Sequence, residues 1–422
     1  MDYRLFPPEE IIETSVRLPL SKSVSARTLI MAYLTPGVVA PPTDRIADCD
    51  DTAILRHVLE NNLSAKVDVG AAGTAMRFLT ALFAALPGRD VVLTGTERMC
   101  RRPIGPLVEA LRALGANIRY LGEEGFPPME ISGKRLSGGK ISIEAGLSSQ
   151  FISALMMVAP TMENPLTLDL CGDITSLPYI RMTAEMMRRR GVDVQLDRDR
   201  LTVPNTPYLR SVDDAEPDWS AASFWYEIAA ISAGWVNIEG LNNNALQGDR
   251  EVAGIFERLG VLTDYTDEGA ELSATPDLYS RLDVDMSDMP DAVPAVTVTA
   301  AMTGIPFRLT GVSSLRIKEC DRLEALQREL LKFGIIIEFE NDDTMVWDGT
   351  RRPIRDIPSV ETYDDHRIAM AFAPASLFMP GLVILNPGVV NKSYPGYWED
   401  LARAGFRIVD ASAPLPEMQE DK

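Results

Sequence analysis

The stretch Leu18-Pro-Leu-Ser-Lys-Ser-Val-Ser-Ala-Arg-Thr-Leu-Ile-Met-Ala-Tyr-Leu34 sets the pattern on which the chain is built. Pro19 and small polar residues lead into leucine, isoleucine and methionine at helical spacing, so a helix N-cap is expected between Ser21 and Ser25. The first turn of such a helix has unpaired backbone N–H groups and the positive end of the dipole. Lys22 and Arg27 add full charges there, and Ser23 and Arg27, four residues apart, share a face. The place suits an oxyanion, phosphate or carboxylate. Taken alone, it is equally well an ordinary capped surface helix.

The pattern returns at Ala72-Gly-Thr-Ala-Met-Arg-Phe-Leu79, Leu147-Ser-Ser-Gln-Phe-Ile-Ser-Ala-Leu-Met156 and Asp218-Trp-Ser-Ala-Ala-Ser-Phe-Trp225. It returns again at Pro290-Asp-Ala-Val-Pro-Ala-Val296 and Tyr363-Asp-Asp-His-Arg-Ile-Ala-Met370, with a period of roughly 70 residues from the second copy onward. A more charged helical pattern accompanies each copy: Asp51 to Glu60, Ile104 to Leu114, Tyr179 to Arg190, Asp249 to Leu259, Glu319 to Phe333 and Tyr397 to Ala404. Five of these end at a glycine (115, 191, 260, 334 and 405), the residue that closes a helix in the left-handed conformation without steric cost. Strand-like runs follow at 117–121, 192–196, 335–339 and 406–409.

The unit is therefore strand, apolar helix, strand, amphipathic helix, strand, strand, six times over. The first helix of each unit is apolar nearly all round and belongs inside; the second has one wet face, and the sheets belong outside. Two α/β domains of three units follow, divided within the polar segment from Ser211 to Glu216. The acidic, proline-containing residues from Ala411 to Lys422 read as a flexible tail.

With 422 residues, 46% of them hydrophobic, the chain can bury two substantial cores. A formal charge of −20 argues against nucleic acid or an anionic membrane as partner, while leaving a locally cationic cleft for small anions. The four cysteines are scattered, and His57 and His366 are the only histidines, so neither a disulfide framework nor a metal site is expected. The opening residues Met1 to Glu10 show no apolar core of a signal peptide and no apolar run reaches the length of a membrane span, which fits a cytoplasmic protein.

Site-like residues concentrate at helix starts. First helices offer Lys22, Ser23, Arg27, Gly73, Thr74, Arg77, Ser148, Ser149, Gln150, Asp291, His366 and Arg367. Second helices offer Arg102, Ser176, Tyr179, Lys318, Glu319, Arg322 and Lys392. If the helices of each domain point the same way, their N-termini converge on one cleft for multiply charged anions. In Arg316-Ile-Lys-Glu-Cys-Asp-Arg-Leu323 one helical turn would set Lys318 and Arg322 around Glu319, although an isolated stretch of this kind is more often a salt-bridged surface.

Leu18-Pro-Leu-Ser-Lys-Ser-Val-Ser-Ala-Arg27, Gly73-Thr-Ala-Met-Arg77, Arg102-Pro-Ile-Gly105, Ser148-Ser-Gln150, the Arg316–Leu323 stretch, Asp364-Asp-His-Arg367 and Lys392-Ser-Tyr-Pro395 together resemble the 5-enolpyruvylshikimate-3-phosphate synthase family. The match runs in the family's order from Leu18 to Leu401. The resemblance implies an inverse α/β prism of two domains, 20–213 and 1–19 with 214–422. It also implies transfer of the enolpyruvyl group of phosphoenolpyruvate to the 5-hydroxyl of shikimate 3-phosphate, by a monomer without metal or organic cofactor. By motif, Lys22, Ser23, Arg27, Ser148, Ser149, Gln150, Ser176, Tyr179, Asp291, Ser314 and Lys318 correspond to the shikimate 3-phosphate set. Lys22, Gly73, Arg102, Gln150, Arg322, Arg367 and Lys392 correspond to the phosphoenolpyruvate set. Lys22, Asp291 and Glu319 correspond to the catalytic groups, with Thr74, Arg77 and His366 behind them.

The chain departs from the family's common pattern at Ala71, where asparagine is usual, and at Phe78, Ser314, Leu177 and Leu20. The related transferase acting on UDP-N-acetylglucosamine is a poorer match. Its cysteine lies in a glycine-rich loop well ahead of an Arg-Pro, whereas Cys100 here is two residues before Arg102 in a glycine-free stretch. It also lacks the Ser-Ser-Gln triplet. A non-catalytic anion-binding relative is the remaining alternative.

Overall fold

The computed structural model describes residues 1–38, 43–61, 64–146, 148–209, 216–354 and 356–413. The repeated unit is plainest around the Gly73–Ala85 helix, where strand Lys66–Asp68 runs parallel to Asp90–Thr94. The helix Gly105–Ala113 follows, and the antiparallel strands Asn117–Tyr120 and Met129–Ser132 complete a four-stranded sheet. Four more sheets have the same plan, one parallel pair extended by two antiparallel strands. Their parallel pairs are 139–144 with 166–171, 13–16 with 235–239, 282–285 with 307–310, and 359–360 with 382–384.

The six apolar helices are Lys22–Leu34, Gly73–Ala85, Ser149–Val158, Trp219–Ser232, Val293–Thr303 and His366–Phe372. All residues from Val293 to Met302 are buried, as are all seven of His366–Phe372, which is the all-round apolar character expected of them. Four of the six starts are capped by a side chain: Ser21, Ser148, Asp218 and Asp365 each accept a backbone N–H of the first turn. The five closing glycines have φ between 75 and 96°.

Two separate cores result. One gathers Val24 to Tyr208; the other gathers Trp219 to Phe406 together with Leu5, Ile12, Val16 and Leu18. The N-terminal strands serve this second core, Tyr3–Phe6 between strands 382–384 and 407–410, and Glu13–Val16 beside 235–239. The chain passes between the halves twice, at one place: Leu20 bridges Pro217, Ser21 N donates to Glu216 O at 2.8 Å, and Asp218 N to Pro19 O at 2.9 Å. The segment 211–215, within which the division was placed, and the tail from 414 lie outside the described residues.

Three details differ from the sequence reading. All six helix pairs are present, but among the described residues the first pair, Lys22–Leu34 and Asp50–Glu60, has no sheet of its own. Only five residues separate Glu60 from the strand at Lys66, against 25 between Ala113 and Gly139 in the next unit, and a two-stranded hairpin needs about ten. Second, the helix expected from Glu319 begins at Arg322, because Asp321 caps it by accepting from Glu324 N at 3.0 Å. Lys318 and Glu319 therefore sit on a link between the 3-10 helix Ser313–Ile317 and that helix. Third, Lys392 ends a 3-10 helix, Pro387–Lys392, instead of starting the Tyr397–Arg403 helix.

Candidate active site

Helix N-termini from both halves face one cleft. It is lined by Lys22, Ser23, Arg27, Gly73, Thr74, Arg77, Arg102, Ser148, Ser149, Gln150, Ser176, Tyr179, Asp291, Ser314, Lys318, Glu319, Arg322, His366 and Arg367. These are the residues singled out from the sequence, with the exception of Lys392, which joins them through its Nζ, 2.9 Å from Glu319 Oε1.

Arg322 is the hub. Its guanidinium reaches Asp365 from Nε at 2.7 Å, Asp291 from Nη1 at 3.0 Å and Glu319 from Nη2 at 3.0 Å, and its side chain is 1% exposed. Arg367 holds the other oxygen of Asp291 at 2.9 Å. Arg102 Nη1 stands 3.8 Å from Glu319, and its buried Nε has no partner among the described residues. Lys22 pairs with Asp51 at 3.4 Å. Eight cations, Lys22, Arg27, Arg77, Arg102, Lys318, Arg322, Arg367 and Lys392, outnumber the carboxylates Asp51, Asp291, Glu319 and Asp365, so a chain of charge −20 keeps a cationic cleft.

Burial opposes ionisation of Glu319, but Lys392, Arg322 and Arg102 outweigh it and hold the carboxyl well below its ordinary range. Asp291 is likewise depressed against burial by Arg367, Lys318 and Arg322. Burial pulls Lys318 down, with Asp291 compensating only in part. Lys22 rises despite burial because Asp51 and Glu319 face it. Burial, with Lys22 and Arg367 close by, pushes His366 well below 6.5, and neither ring nitrogen has a hydrogen-bond partner among the described residues.

Other groups are spent on the frame. Arg27 donates to Thr183 Oγ1 at 2.7 Å, Ser23 O at 2.9 Å and Ser153 Oγ at 3.1 Å, under a cation–π contact with Phe78. Arg77 donates to the carbonyls of Gly73 and Pro103, each at 3.2 Å, and so fixes the approach of Arg102. Gln150 donates to Thr74 at 3.2 Å, and Tyr179 OH to Asp249 at 3.2 Å across the two halves. The halves also touch where Ser176 N meets Ser287 O at 2.9 Å and Lys392 Nζ meets Ala71 O at 3.0 Å. That last bond uses a backbone carbonyl, so the departure to alanine at 71 does not remove it.

Sequence reasoning missed Asp51 and Asp365. Both are buried counter-charges to cations it did name, and a search for carboxylates beside each cationic helix start would have found them: Asp51 near the start of a second helix, Asp365 capping a first one.

Such a fold and cleft define a two-part α/β protein with a polar, cationic pocket for small polyanions. A family model described as EPSP synthase (3-phosphoshikimate 1-carboxyvinyltransferase) matches residues 45–401. The chain is 46% identical over 410 residues to the 3-phosphoshikimate 1-carboxyvinyltransferase of Bacteroides fragilis, covering 97% of this chain and 99% of that one. It is 38% identical over 342 residues to the enzyme of the same name from Methanoculleus marisnigri, covering 81% and 79%. EPSP synthase from Acinetobacter baumannii superposes with a TM-score of 0.73 at 21% identity, covering 97% of this chain and all of that one. The protein belongs to the EPSP synthase family.

Proposed function

We propose that the protein transfers the enolpyruvyl group of phosphoenolpyruvate to the 5-hydroxyl of shikimate 3-phosphate and releases phosphate. Family membership supports the reaction. Support for the roles comes from one observation: Arg322 binds Glu319 and Asp291 at once, 3.0 Å from each, so two carboxylates with different tasks face one pocket. Each substrate carries a phosphate and a carboxylate, and their mutual repulsion calls for several cations. Lys22, Arg102, Arg322, Arg367 and Lys392 supply these for phosphoenolpyruvate, beside Gly73 and Gln150. Ser23, Arg27, Ser148, Ser149, Ser176, Tyr179, Ser314 and Lys318 take shikimate 3-phosphate.

Asp291 accepts the proton of the attacking hydroxyl while Glu319 protonates the methylene carbon, and the oxygen adds to C2 to give a tetrahedral intermediate. Glu319 then recovers the proton from the new methyl group as phosphate leaves, assisted by Lys22. Lys392, Arg322 and Arg102 favour the ionised form of Glu319. Those cations are assigned to phosphoenolpyruvate, whose anionic groups draw them off and let Glu319 take up the proton it must deliver.

The domain division follows the two cores: 20–213 on the shikimate 3-phosphate side, 1–19 with 214–422 on the other. The working unit is a monomer acting on these small molecules alone. Incubation with phosphoenolpyruvate and shikimate 3-phosphate, without added metal, should release inorganic phosphate and yield the enolpyruvyl ether by mass. Release with UDP-N-acetylglucosamine in place of shikimate 3-phosphate, or none with either, overturns the reading.

A further inference from the structure

Arg98 has no part in the roles above. It lies on the four-residue helix Glu97–Cys100, which Thr96 caps by accepting from Met99 N at 3.3 Å. Its Nε donates to the carbonyl of Glu319 at 3.0 Å and its Nη2 to the carbonyl of Lys318 at 3.1 Å. Met99 beside the donor lies in one core and Cys320 beside the acceptors in the other, so the contact spans the two halves. Neither carbonyl receives a backbone N–H among the described residues, because the link carrying them lies between the 3-10 helix ending at Ile317 and the helix starting at Arg322.

A planar guanidinium can bridge two consecutive carbonyls, which a single ammonium matches poorly. Four residues on, Arg102 approaches the Glu319 side chain at 3.8 Å, so one short segment meets Glu319 at main chain and side chain together. We propose that Arg98 is a positioning residue: when the halves meet, it pins the Lys318–Glu319 backbone and aims the Glu319 carboxylate at the carbon it protonates. This rests on the reaction proposed above. Without the clamp the link is tethered only through side chains, and a misplacement of about an ångström in a proton-transfer group costs on the order of a hundredfold in rate.

The experiment compares Arg98→Ala and Arg98→Lys, each alone and with Glu319→Ala. Arg98→Ala should lower kcat by about 10- to 100-fold while the KM for shikimate 3-phosphate stays within about twofold, and Arg98→Lys should recover only part of the loss. On the Glu319→Ala background the same change should cost less than about threefold, since the group being aimed is gone. An unchanged kcat in Arg98→Ala overturns the proposal, as does an equal loss on both backgrounds. Arg98 is exposed, so both variants should melt with the wild type. Small-angle scattering of ligand-free protein is independent of activity: Arg98→Ala should have the larger radius of gyration, and an unchanged radius counts against the clamp. A wild type that releases no phosphate sinks the reaction, whereas an active wild type with an indifferent Arg98 sinks only the clamp.

Discussion

On the wall of the cleft built from residues 22–179, the hydroxyls of Ser23, Ser149 and Ser176 have no partner among the described residues, and Arg27 and Arg77 are committed to neighbouring oxygens. On the wall built from residues 291–392 most of the charged groups are engaged with one another: Arg322 with three carboxylates, Arg367 with Asp291, Lys392 with Glu319. A ligand reaching the first wall meets vacant neutral donors and need break little. A ligand reaching the second would exchange existing ion pairs for its own. On the proposed reading the first wall holds and the second reacts.

The largest test of that contrast is Glu319→Ala, which should lower kcat by about 10²- to 10⁴-fold and leave calorimetric binding of shikimate 3-phosphate nearly unchanged. Lost binding with retained turnover would erase the distinction. A middle-sized test uses Gly73→Ala. A Cβ there would stand 2.6 Å from Arg102 Nη1 and 3.1 Å from Cζ, displacing the guanidinium that approaches Glu319 at 3.8 Å. The KM for phosphoenolpyruvate should rise about tenfold, the scale of one hydrogen bond to a charged group, with shikimate 3-phosphate binding unaffected. Equal weakening of both ligands would show the walls to be less separate than their contacts indicate.

The smallest effect concerns His366. Its folded pKa lies well below the ordinary 6.5, so as pH falls beneath 6.5 the unfolded chain takes up the proton first. The stability gained by keeping it neutral is whole above 6.5 and declines on acidification, by at most about 1.4 kcal/mol per pH unit. The depressed Glu319 acts later, its contribution being lost only below the ordinary carboxyl value of 4.5. Between these limits, urea unfolding of His366→Asn should show a smaller rise of stability with pH than the wild type. Parallel curves would mean that the histidine is not held neutral by its surroundings.

The repeated helices were legible because burial on all sides leaves a run such as Val293–Met302 almost without polar residues, and side-chain caps announce four of the six starts. The convergence of those starts followed from the repeat. The missing first sheet was not seen because self-similarity was counted on helices, while the evidence against strands lay in the short spacing from Glu60 to Lys66. Glu319 was placed on a helix because its i,i+3 relation to Arg322 fits one, and the pair does meet at 3.0 Å. Yet Asp321 and Glu324, three apart, form a capping signature that starts the helix after Glu319 and leaves it on a link free to be aimed. The ion pairs that fix Arg322 join residues 31 and 43 positions apart, a distance over which spacing says nothing.

The strand Tyr3–Phe6 lies inside a sheet whose neighbours are 382–384 and 407–410. A strand made before residues 22–410 therefore finds its place only after the segments around 382–410 have been made. The half formed by residues 24–208 is continuous and can assemble during that wait. An extension fused ahead of Met1 thus burdens the later-forming half, the one that carries Asp291, Glu319 and Arg322.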